Sequence, residues 1–361
     1  MALLDESCRV AFAAMLHDLG KFAQRAEVEF PDLNKDAHLG LYARFNPEGG
    51  YFSYQHAAYT ALAYDIVGNY CPDAYKDTAE PFVSKSALSQ SRETDTSVNV
   101  AAMHHNPQTL LQWIIATADR VSSGFEREQF DIAEEKPRDN YFKERLLTLF
   151  EQVTLKNSDG VYAEEDLKYR YPLLPASIRA IFPLARNDIY PQSKEEAVAQ
   201  YKTLWDAFVK FGELMPDRLR DDWALWLDSF DSAWLTYTQS IPSATNTKVK
   251  ADVSLYDHSK STAAFATALW RWQVESGTEP QEALRLIQGD FFGIQNFIFS
   301  EGSQTNKQAA KILRGRSFYV SLLTELAALR ILEELQLPPT SQITNAAGKF
   351  MIVAPNTPTT I

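Results

Sequence analysis

The chain has 361 residues, of which 45% are hydrophobic and 23% charged, a composition typical of folded globular proteins and not of disordered ones. Its formal net charge is −12, so we expect any nucleic-acid contact to use a local patch instead of bulk attraction. Apolar runs are too short for a membrane span, the N-terminus lacks the features of a signal peptide, and two cysteines are too few for a disulfide framework. These features favour a cytoplasmic protein with no membrane partner.

Apolar periodicity predicts a largely helical chain up to about residue 280. Helices are expected over 3–19, 52–68, 108–128, 193–214, 219–240 and 262–275. Gly20 is the expected C-cap of the first helix, and the tryptophans of 219–240 are expected to lie in the core. Residues 241–261 are interpreted as a connection between domains.

The last 80 residues change character. An apolar, β-rich run is followed by a long helical pattern and then by a segment that is typical of a strand pair. The order β-α-β-β with helix-length spacing indicates the start of an α+β sandwich, such as a ferredoxin-like or polymerase-palm half. We expect this domain to be incomplete in the chain.

Side chains that suit metal binding recur on or beside the predicted helices. A His17–Asp18 pair ends the first helix, and His56 shares an apolar stripe of the second. Asp119 continues the apolar stripe of its own helix, whose start is preceded by His104–His105. A buried carboxylate needs a cation or strong donors, and helical bundles build metal sites from such inward imidazoles and carboxylates.

A structural interpretation competes for each of these residues taken singly, since a lone histidine on an apolar face is usually a hydrogen-bonded core residue. For Asp257–His258, which repeats the polar pair in reverse order, no second set of ligands is evident nearby. We therefore interpret this pair as a hydrogen-bonded helix cap.

Taken together, the residues resemble the HD superfamily of metal-dependent phosphohydrolases, in which a histidine precedes an HD dyad and an aspartate follows. No histidine occurs in residues 1–16, so the ligand order would be permuted. A permuted HD domain at the N-terminus resembles the large signature subunit of type III CRISPR effector complexes, Csm subtype. The segments that carry this resemblance are "LHDLGKFAQRA", "AAMHHNPQTLLQWIIATADRVSSGFERE", "YDHSKSTAAFATALW", "LIQGDFFGIQNFIFS" and "KILRGRSFYVSLLTE".

The resemblance implies a mainly α fold, a permuted HD helical bundle, followed by an incomplete α+β palm. The implied domains are an HD nuclease domain (1–135), a mostly helical linker region (136–280) and the N-terminal part of a first palm domain (281–361). The implied metal ligands are His17, Asp18, His56, His104, His105 and Asp119, holding one or two Mn, Ni, Co or Mg ions. Asp18 would bridge two ions, and Lys21 would steady a substrate phosphate beside the catalytic His17 and Asp18.

The implied activity is cleavage of single-stranded DNA by a complex that also holds other subunits, a guide RNA and a target RNA. In a full-length protein the resemblance implies that the palm binds ATP and supports cyclic oligoadenylate synthesis. The candidate nucleotide contacts in the palm are Gly289, Asp290, Gly315 and Ser317. Residues 302–324 contain no acidic residue, which makes their basic side chains candidate nucleic-acid contacts, namely Lys307, Lys311, Arg314 and Arg316.

Two other functions stay open at this point. In one, the HD fold serves as a scaffold of the complex and cleaves weakly or not at all. In the other, the chain is a stand-alone HD phosphohydrolase of small nucleotides, which the palm-like end of the chain argues against.

Overall fold

The structure is a computed structural model that describes residues 2–30, 35–72, 81–85, 92–124, 141–153, 167–245, 250–276, 282–300 and 309–360. These residues are mostly helical. The helices are α1 (Ala2–Met15), α2 (Leu19–Arg25), α3 (Lys35–Tyr42), α4 (His56–Gly68), α5 (Ser97–Ala102), α6 (Leu110–Ser123), α7 (Arg186–Ile189), α8 (Lys194–Glu213), α9 (Trp223–Thr238), α10 (Leu255–Ser276), α11 (Ile294–Ile298) and α12 (Ala309–Leu335). In this part of the chain no helix combines the length and apolarity that a bilayer crossing requires.

The strands form small antiparallel sheets. They are β1 (Arg44–Asn46), β2 (Tyr51–Ser53), β3 (Val83–Lys85), β4 (Arg92–Thr94), β5 (Tyr169–Arg170), β6 (Leu184–Ala185), β7 (Leu284–Asp290), β8 (Gln342–Ala346) and β9 (Lys349–Pro355). The first six pair in sequence as three two-stranded ribbons, and the last three form one sheet in the order β7-β9-β8. The strand, helix and strand-pair order predicted for the end of the chain is therefore present.

The predicted helix over 3–19 is in fact two helices separated by a turn at residues 16–18. The backbone N–H of Leu19 donates to the carbonyl of Leu16, a tight turn bond that interrupts the α-helical ladder. The predicted C-cap at Gly20 is wrong, because Gly20 lies inside α2. The break leaves His17 and Asp18 in the turn between the two helices.

Gly20 permits the close approach of α2 to α4. A β-carbon at this position would lie 1.8 Å from the carbonyl oxygen of His56 and 2.4 Å from the backbone nitrogen of Thr60. The N–H of Gly20 also donates to the Thr60 hydroxyl over 3.0 Å, and that hydroxyl donates to the carbonyl of His17 over 2.9 Å. Because Gly20 has no side chain, the His17–Asp18 turn can lie against the first turn of α4, where the Thr60 hydroxyl bonds to it.

We expect Gly20→Ala to lower the free energy of unfolding by about 1–3 kcal/mol, since two backbones must separate to admit the methyl group. Urea unfolding measures this. Gly40→Ala in α3 is the matched control, because nothing lies within 4 Å of its added β-carbon, and there we expect a gain of roughly 0.5–1 kcal/mol from helix propensity. Equal stability of the two variants would contradict the packing role of Gly20.

The main core is formed by residues of α1, α4, α6, α8, α9 and α10, among other segments. The tryptophans Trp223, Trp226 and Trp234 of α9 are all buried, and Phe12 of α1 packs edge-on against Trp226 with ring centroids 5.1 Å apart. The prediction that the tryptophan-rich helix is core is confirmed. Burial of such large rings contributes a large share of the hydrophobic stabilisation.

Helix α10 begins at Leu255, seven residues before the predicted start at 262. Its first turn is capped by Ser254, whose hydroxyl accepts from the backbone N–H of Asp257 over 2.9 Å and donates to the Asp257 carboxylate over 2.7 Å. The Ser254 hydroxyl thus satisfies one backbone donor at the helix start, the N–H of Asp257. Helix α10 then packs along α1 and α6 and reaches β9, so it belongs to the helical core and carries His258 into it.

Candidate metal centre

The structure brings the six predicted metal ligands together from separate elements. His17 and Asp18 come from the turn before α2, and His56 is the first residue of α4. His104 and His105 end the short 3-10 helix Met103–His105, and Asp119 lies on the last turns of α6. A seventh residue, His258 of α10, joins them.

Asp18 lies at the centre of the cluster, and its side chain is only 2% exposed. Its Oδ2 atom lies 3.3 Å from Nε2 of His17 and 3.4 Å from Nε2 of His258. Its Oδ1 atom faces the other way, 3.4 Å from Nε2 of His56 and 4.0 Å from Nε2 of His104. One carboxylate therefore faces histidines on both sides.

The second carboxylate, Asp119, contacts the same two histidines as Oδ2 of Asp18. Its Oδ1 lies 3.1 Å from Nε2 of His258 and 3.6 Å from Nε2 of His17. The Asp119 side chain is 18% exposed, more than that of Asp18. On this side the cluster has an edge that solvent reaches.

Backbone and hydroxyl groups fix the orientation of three imidazoles. Nδ1 of His17 lies 2.7 Å from the carbonyl of Ala14, and Nδ1 of His104 lies 2.8 Å from the carbonyl of Ala101. Since a carbonyl only accepts, each Nδ1 carries a hydrogen, and in the neutral form of each imidazole Nε2 presents its lone pair toward the centre. Nδ1 of His258 lies 3.1 Å from the Ser122 hydroxyl. Such outer hydrogen bonds are typical of metal-binding histidines.

The donor atoms fit divalent cations. In the described part of the chain, three sets of ligand atoms each lie within 4.8 Å of one another, namely His56, His104 and His105; His17, Asp119 and His258; and His17, Asp18 and His104. Among the described residues, Nε2 of His104 and Oδ1 of Asp18 are buried and have no hydrogen-bond partner. Two unpaired buried acceptors facing each other are costly unless a cation lies between them, and imidazole with carboxylate suits Mn, Fe, Co, Ni or Zn.

The electrostatics of the metal-free cluster divide it into two halves. Burial disfavours the charged form of Asp18, but Lys21 and His17 outweigh it and hold the pKa of this carboxyl well below its usual range. Burial also opposes a charge on His17, yet Asp18 and Asp119 raise the pKa of its imidazole to about 10. In the other half, burial and the neighbouring His17 lower the pKa of His104 to about 4. The pKa values of His56 and His105 are lowered by burial as well, so these three imidazoles are neutral at pH 7 and can donate lone pairs to a cation.

We expect Mn²⁺ binding at pH 8 to release at least about one proton, because a ligand must be deprotonated before it binds. With a pKa of about 10, His17 is protonated in the metal-free chain at pH 8, and the ion must displace that proton. The apparent affinity should therefore rise as the pH increases toward 10. Calorimetric titration in two buffers of different ionisation enthalpy measures the release, and a heat of binding that is the same in both would contradict it.

Lys21 contacts the cluster directly. Its Nζ lies 2.6 Å from Oδ2 of Asp18, and its side chain is 22% exposed. The ammonium is thus held at the border between the buried carboxylate and solvent. The Lys21 ammonium would therefore lie next to any ion or substrate that the Asp18 carboxylate contacts.

The interpretation of His258 as part of a helix cap is wrong, and this residue is not among the metal ligands predicted from the sequence. Its neighbour Asp257 makes the hydrogen bonds with the capping Ser254, whereas the imidazole of His258 is 3% exposed and lies against Asp18 and Asp119. The signal was an apolar stripe that extends back from Ala266 through Thr262 to His258, all buried in α10. His258 also lines an open cleft of about 500 Å³ that reaches Asn345 of β8.

The weaker candidates lie on other elements than the cluster residues. Gly289 packs against the ring of Phe350, and a β-carbon at this position would lie 2.0 Å from that ring. The packing of β7 on β9 therefore explains why residue 289 is a glycine. Asp290, at the end of β7, pairs with Lys349 over 3.1 Å. The remaining candidates lie on α12, namely Lys311, Arg314, Gly315, Arg316 and Ser317, and Lys307 falls outside the described residues.

The sequence and the fold of this chain were compared with those of known proteins, and several are similar to it. Residues 283–361 match the family model of domain B of the Csm1 subunit. A relative from Methanocaldococcus jannaschii, named CRISPR system single-strand-specific deoxyribonuclease Cas10/Csm1 (subtype III-A), is 28% identical over 98% of this chain and 42% of its own length. The chain thus spans about two fifths of the length of the curated relatives it matches.

Solved structures share the fold. Csm1 in T. onnurineus superposes with a TM-score of 0.57 at 22% identity, covering 99% of this chain and 40% of that one. A Csm1–Csm4 cassette in complex with one ATP gives a TM-score of 0.54 at 22% identity, with 99% of this chain and 40% of the other covered. The resemblance read in the sequence is therefore confirmed: over nearly its whole length this chain is similar to Csm1 proteins of subtype III-A CRISPR systems.

Proposed function

We propose that the chain is a divalent-metal-dependent nuclease of the HD type that cleaves single-stranded DNA within an RNA-guided type III CRISPR complex. The observation that carries this proposal is the burial of the Asp18 carboxylate between histidines on both of its sides. Asp119 adds a second carboxylate beside His17 and His258. The name of the relative from M. jannaschii, a single-strand-specific deoxyribonuclease, supports the choice of substrate.

Two sets of residues would hold the ions, with Asp18 between them. His17, Asp119 and His258 form one set, and His56, His104 and His105 form the other. Bound divalent ions supply Lewis acidity and lower the pKa of bound water, which phosphodiester hydrolysis needs at neutral pH. Oδ2 of Asp18 keeps Lys21 within 2.6 Å, which positions its ammonium to neutralise a phosphate oxygen of the substrate.

For the rest of the chain we propose the arrangement that the resemblance implies. Residues 1–135 form the permuted HD domain, 136–280 the mostly helical region and 281–361 the start of a palm, with α10 shared because it supplies His258. A Csm4-like subunit, guide RNA and target RNA are the proposed partners in the cytoplasm. The ATP-bound cassette supports a nucleotide site at the palm, for which the candidates on β7 and α12 stay a prediction.

The test is cleavage of single-stranded and double-stranded DNA by this chain with Mn²⁺ or Ni²⁺, beside a His17→Ala/Asp18→Ala double variant. We expect loss of the single strand only, sensitive to a chelator and absent in the double variant. Equal inertness of both proteins, with no metal found by elemental analysis, would overturn the nuclease and favour the scaffold function. Hydrolysis of mononucleotides alone would favour the stand-alone phosphohydrolase.

A further inference from the structure

The histidines of the metal centre are held in place by two kinds of contact. Nδ1 of His17 and Nδ1 of His104 bond to backbone carbonyls over 2.7 and 2.8 Å, and Nδ1 of His258 lies 3.1 Å from the Ser122 hydroxyl. His105, which is partly buried, is held by ring contacts instead. The orientation of its imidazole therefore depends on the rings around it.

The ring of Tyr54 stacks on the imidazole of His105. The two ring centroids are 4.0 Å apart and the planes differ by 23°. The imidazoles of His104 and His56 also contact His105, with centroids 4.0 and 5.0 Å away, and Nε2 of His105 lies 2.9 Å from Nε2 of His56. His104 and His56 are themselves candidate ligands, so Tyr54 supplies a ring from outside the ligand set.

The backbone of Tyr54 has an uncommon conformation for a residue with a bulky side chain. Its φ is +56°, and its carbonyl accepts from the N–H of Ala57 over 3.0 Å in the first turn of α4. Tyr54 thus turns the chain from β2 into the helix that begins with His56. A glycine takes a positive φ at no steric cost, so the backbone alone does not explain a tyrosine at this position.

Burial in the core does not explain the tyrosine either. The side chain of Tyr54 is 37% exposed, and its ring meets His56 only edge-on, with centroids 6.2 Å apart. The closest ring contact described for it is the stack on His105. Strained backbone that is kept beside a cluster of ligands is typical of functional sites.

We infer that Tyr54 is a positioning residue of the metal centre, which holds the imidazole of His105 in its binding orientation. In this orientation the ligand atom of His105 lies within 4.8 Å of those of His56 and His104. An imidazole that is already ordered loses little conformational freedom when an ion binds, whereas a free one must be ordered at a cost in affinity. The inference rests on the proposed function and adds a residue that acts through a ligand.

The first test removes the ring and keeps the turn. Tyr54→Gly adopts the positive φ readily, so α4 should begin at the same place. Calorimetric titration with Ni²⁺, an ion that suits imidazole ligands, should show an apparent Kd about 3- to 10-fold higher, the cost of ordering one side chain on binding. Tyr54→Phe keeps the aromatic face and should keep the Kd of the unchanged chain.

Two more variants control for folding and for the loss of any exposed ring. Tyr54→Asn also tolerates the left-handed conformation and should weaken Ni²⁺ binding as Tyr54→Gly does, and urea unfolding of each metal-free variant establishes that it is folded. Tyr51→Ala removes a ring of similar exposure, 38%, which lies against Gly49. Its Ni²⁺ Kd should be unchanged.

A double-mutant cycle with His105→Ala shows whether Tyr54 acts through this imidazole. Once His105 is removed, Tyr54→Gly should have no further effect on the Ni²⁺ Kd. An unchanged Kd in folded Tyr54→Gly, an equal loss in Tyr54→Phe, or a further loss in the His105→Ala background would each overturn the inference.

The same titrations separate this inference from the proposed function. Ni²⁺ binding that depends on Tyr54 in this way, in a chain that never cleaves single-stranded DNA, would contradict the nuclease and support the positioning role. An unchanged chain that binds no Ni²⁺ or Mn²⁺ would overturn both.

Discussion

Replacing Asp18 by Asn is expected to abolish metal binding and to slow the cleavage of single-stranded DNA by more than about 100-fold, the upper range of losses found for residues that only support a ligand. Asn keeps the shape of the side chain but removes the charge on which His17, Lys21 and any bound cation depend. Oδ1 is already a buried acceptor without a partner among the described residues, and an amide cannot hold an ion there equally well. Calorimetry with Mn²⁺ and elemental analysis after dialysis measure the change.

The matched control for this prediction is Asp206→Asn on α8, where the carboxylate is 58% exposed and pairs only with the nearby Lys202 in the described structure. Surface pairs of this kind contribute little to stability, so metal content and cleavage should match those of the unchanged chain. Retention of metal by a folded Asp18→Asn chain would remove Asp18 from the centre of the site.

A second large effect is expected at His258. The His258→Ala variant should bind Mn²⁺ about 10- to 100-fold more weakly, because Nε2 of His258 lies 3.1 Å from Asp119 and 3.4 Å from Asp18. The cleavage rate at subsaturating Mn²⁺ should fall in parallel. Calorimetric titration and a cleavage assay over a range of Mn²⁺ concentrations measure both quantities.

Asp257→Ala separates this role from the capping of α10. The variant loses the hydrogen bond from Ser254 and should cost roughly 0.5–1.5 kcal/mol of stability, with Mn²⁺ affinity unchanged. If His258→Ala behaved in the same way, with normal affinity and only lower stability, the histidine would be structural after all. His258→Ala is thus expected to weaken Mn²⁺ binding, whereas Asp257→Ala is expected to lower stability alone.

The apolar stripe of α6 is long enough to predict which way Asp119 faces. Asp119 was expected to face inward because three apolar residues precede it at helical spacing, and it does contact His17. The beginning of α10 contains mostly polar residues, so its apolar pattern predicts a helix start at 262 and leaves His258 outside the helix. The start is determined by the Ser254 cap and by packing against α1 and α6, and this packing is not visible in the local sequence.

Long-range contacts account for the other differences. Gly20 looked like a helix end because glycine favours that position, but its function depends on α4, which lies almost 40 residues further on. The break at residues 16–18 likewise depends on Thr60, whose hydroxyl accepts from Gly20 and donates to His17. A single sequence contains no direct signal for such pairs.

The ligand atoms of the metal centre come from five places in the chain, between His17 and His258. In the unfolded chain these groups are far apart, so an ion held by the centre binds the folded state alone and adds its binding free energy to folding. At a free ion concentration 100 times the Kd this linkage amounts to about 2.7 kcal/mol. We therefore expect the melting temperature to rise with the concentration of free divalent metal and to fall when a chelator removes the metal.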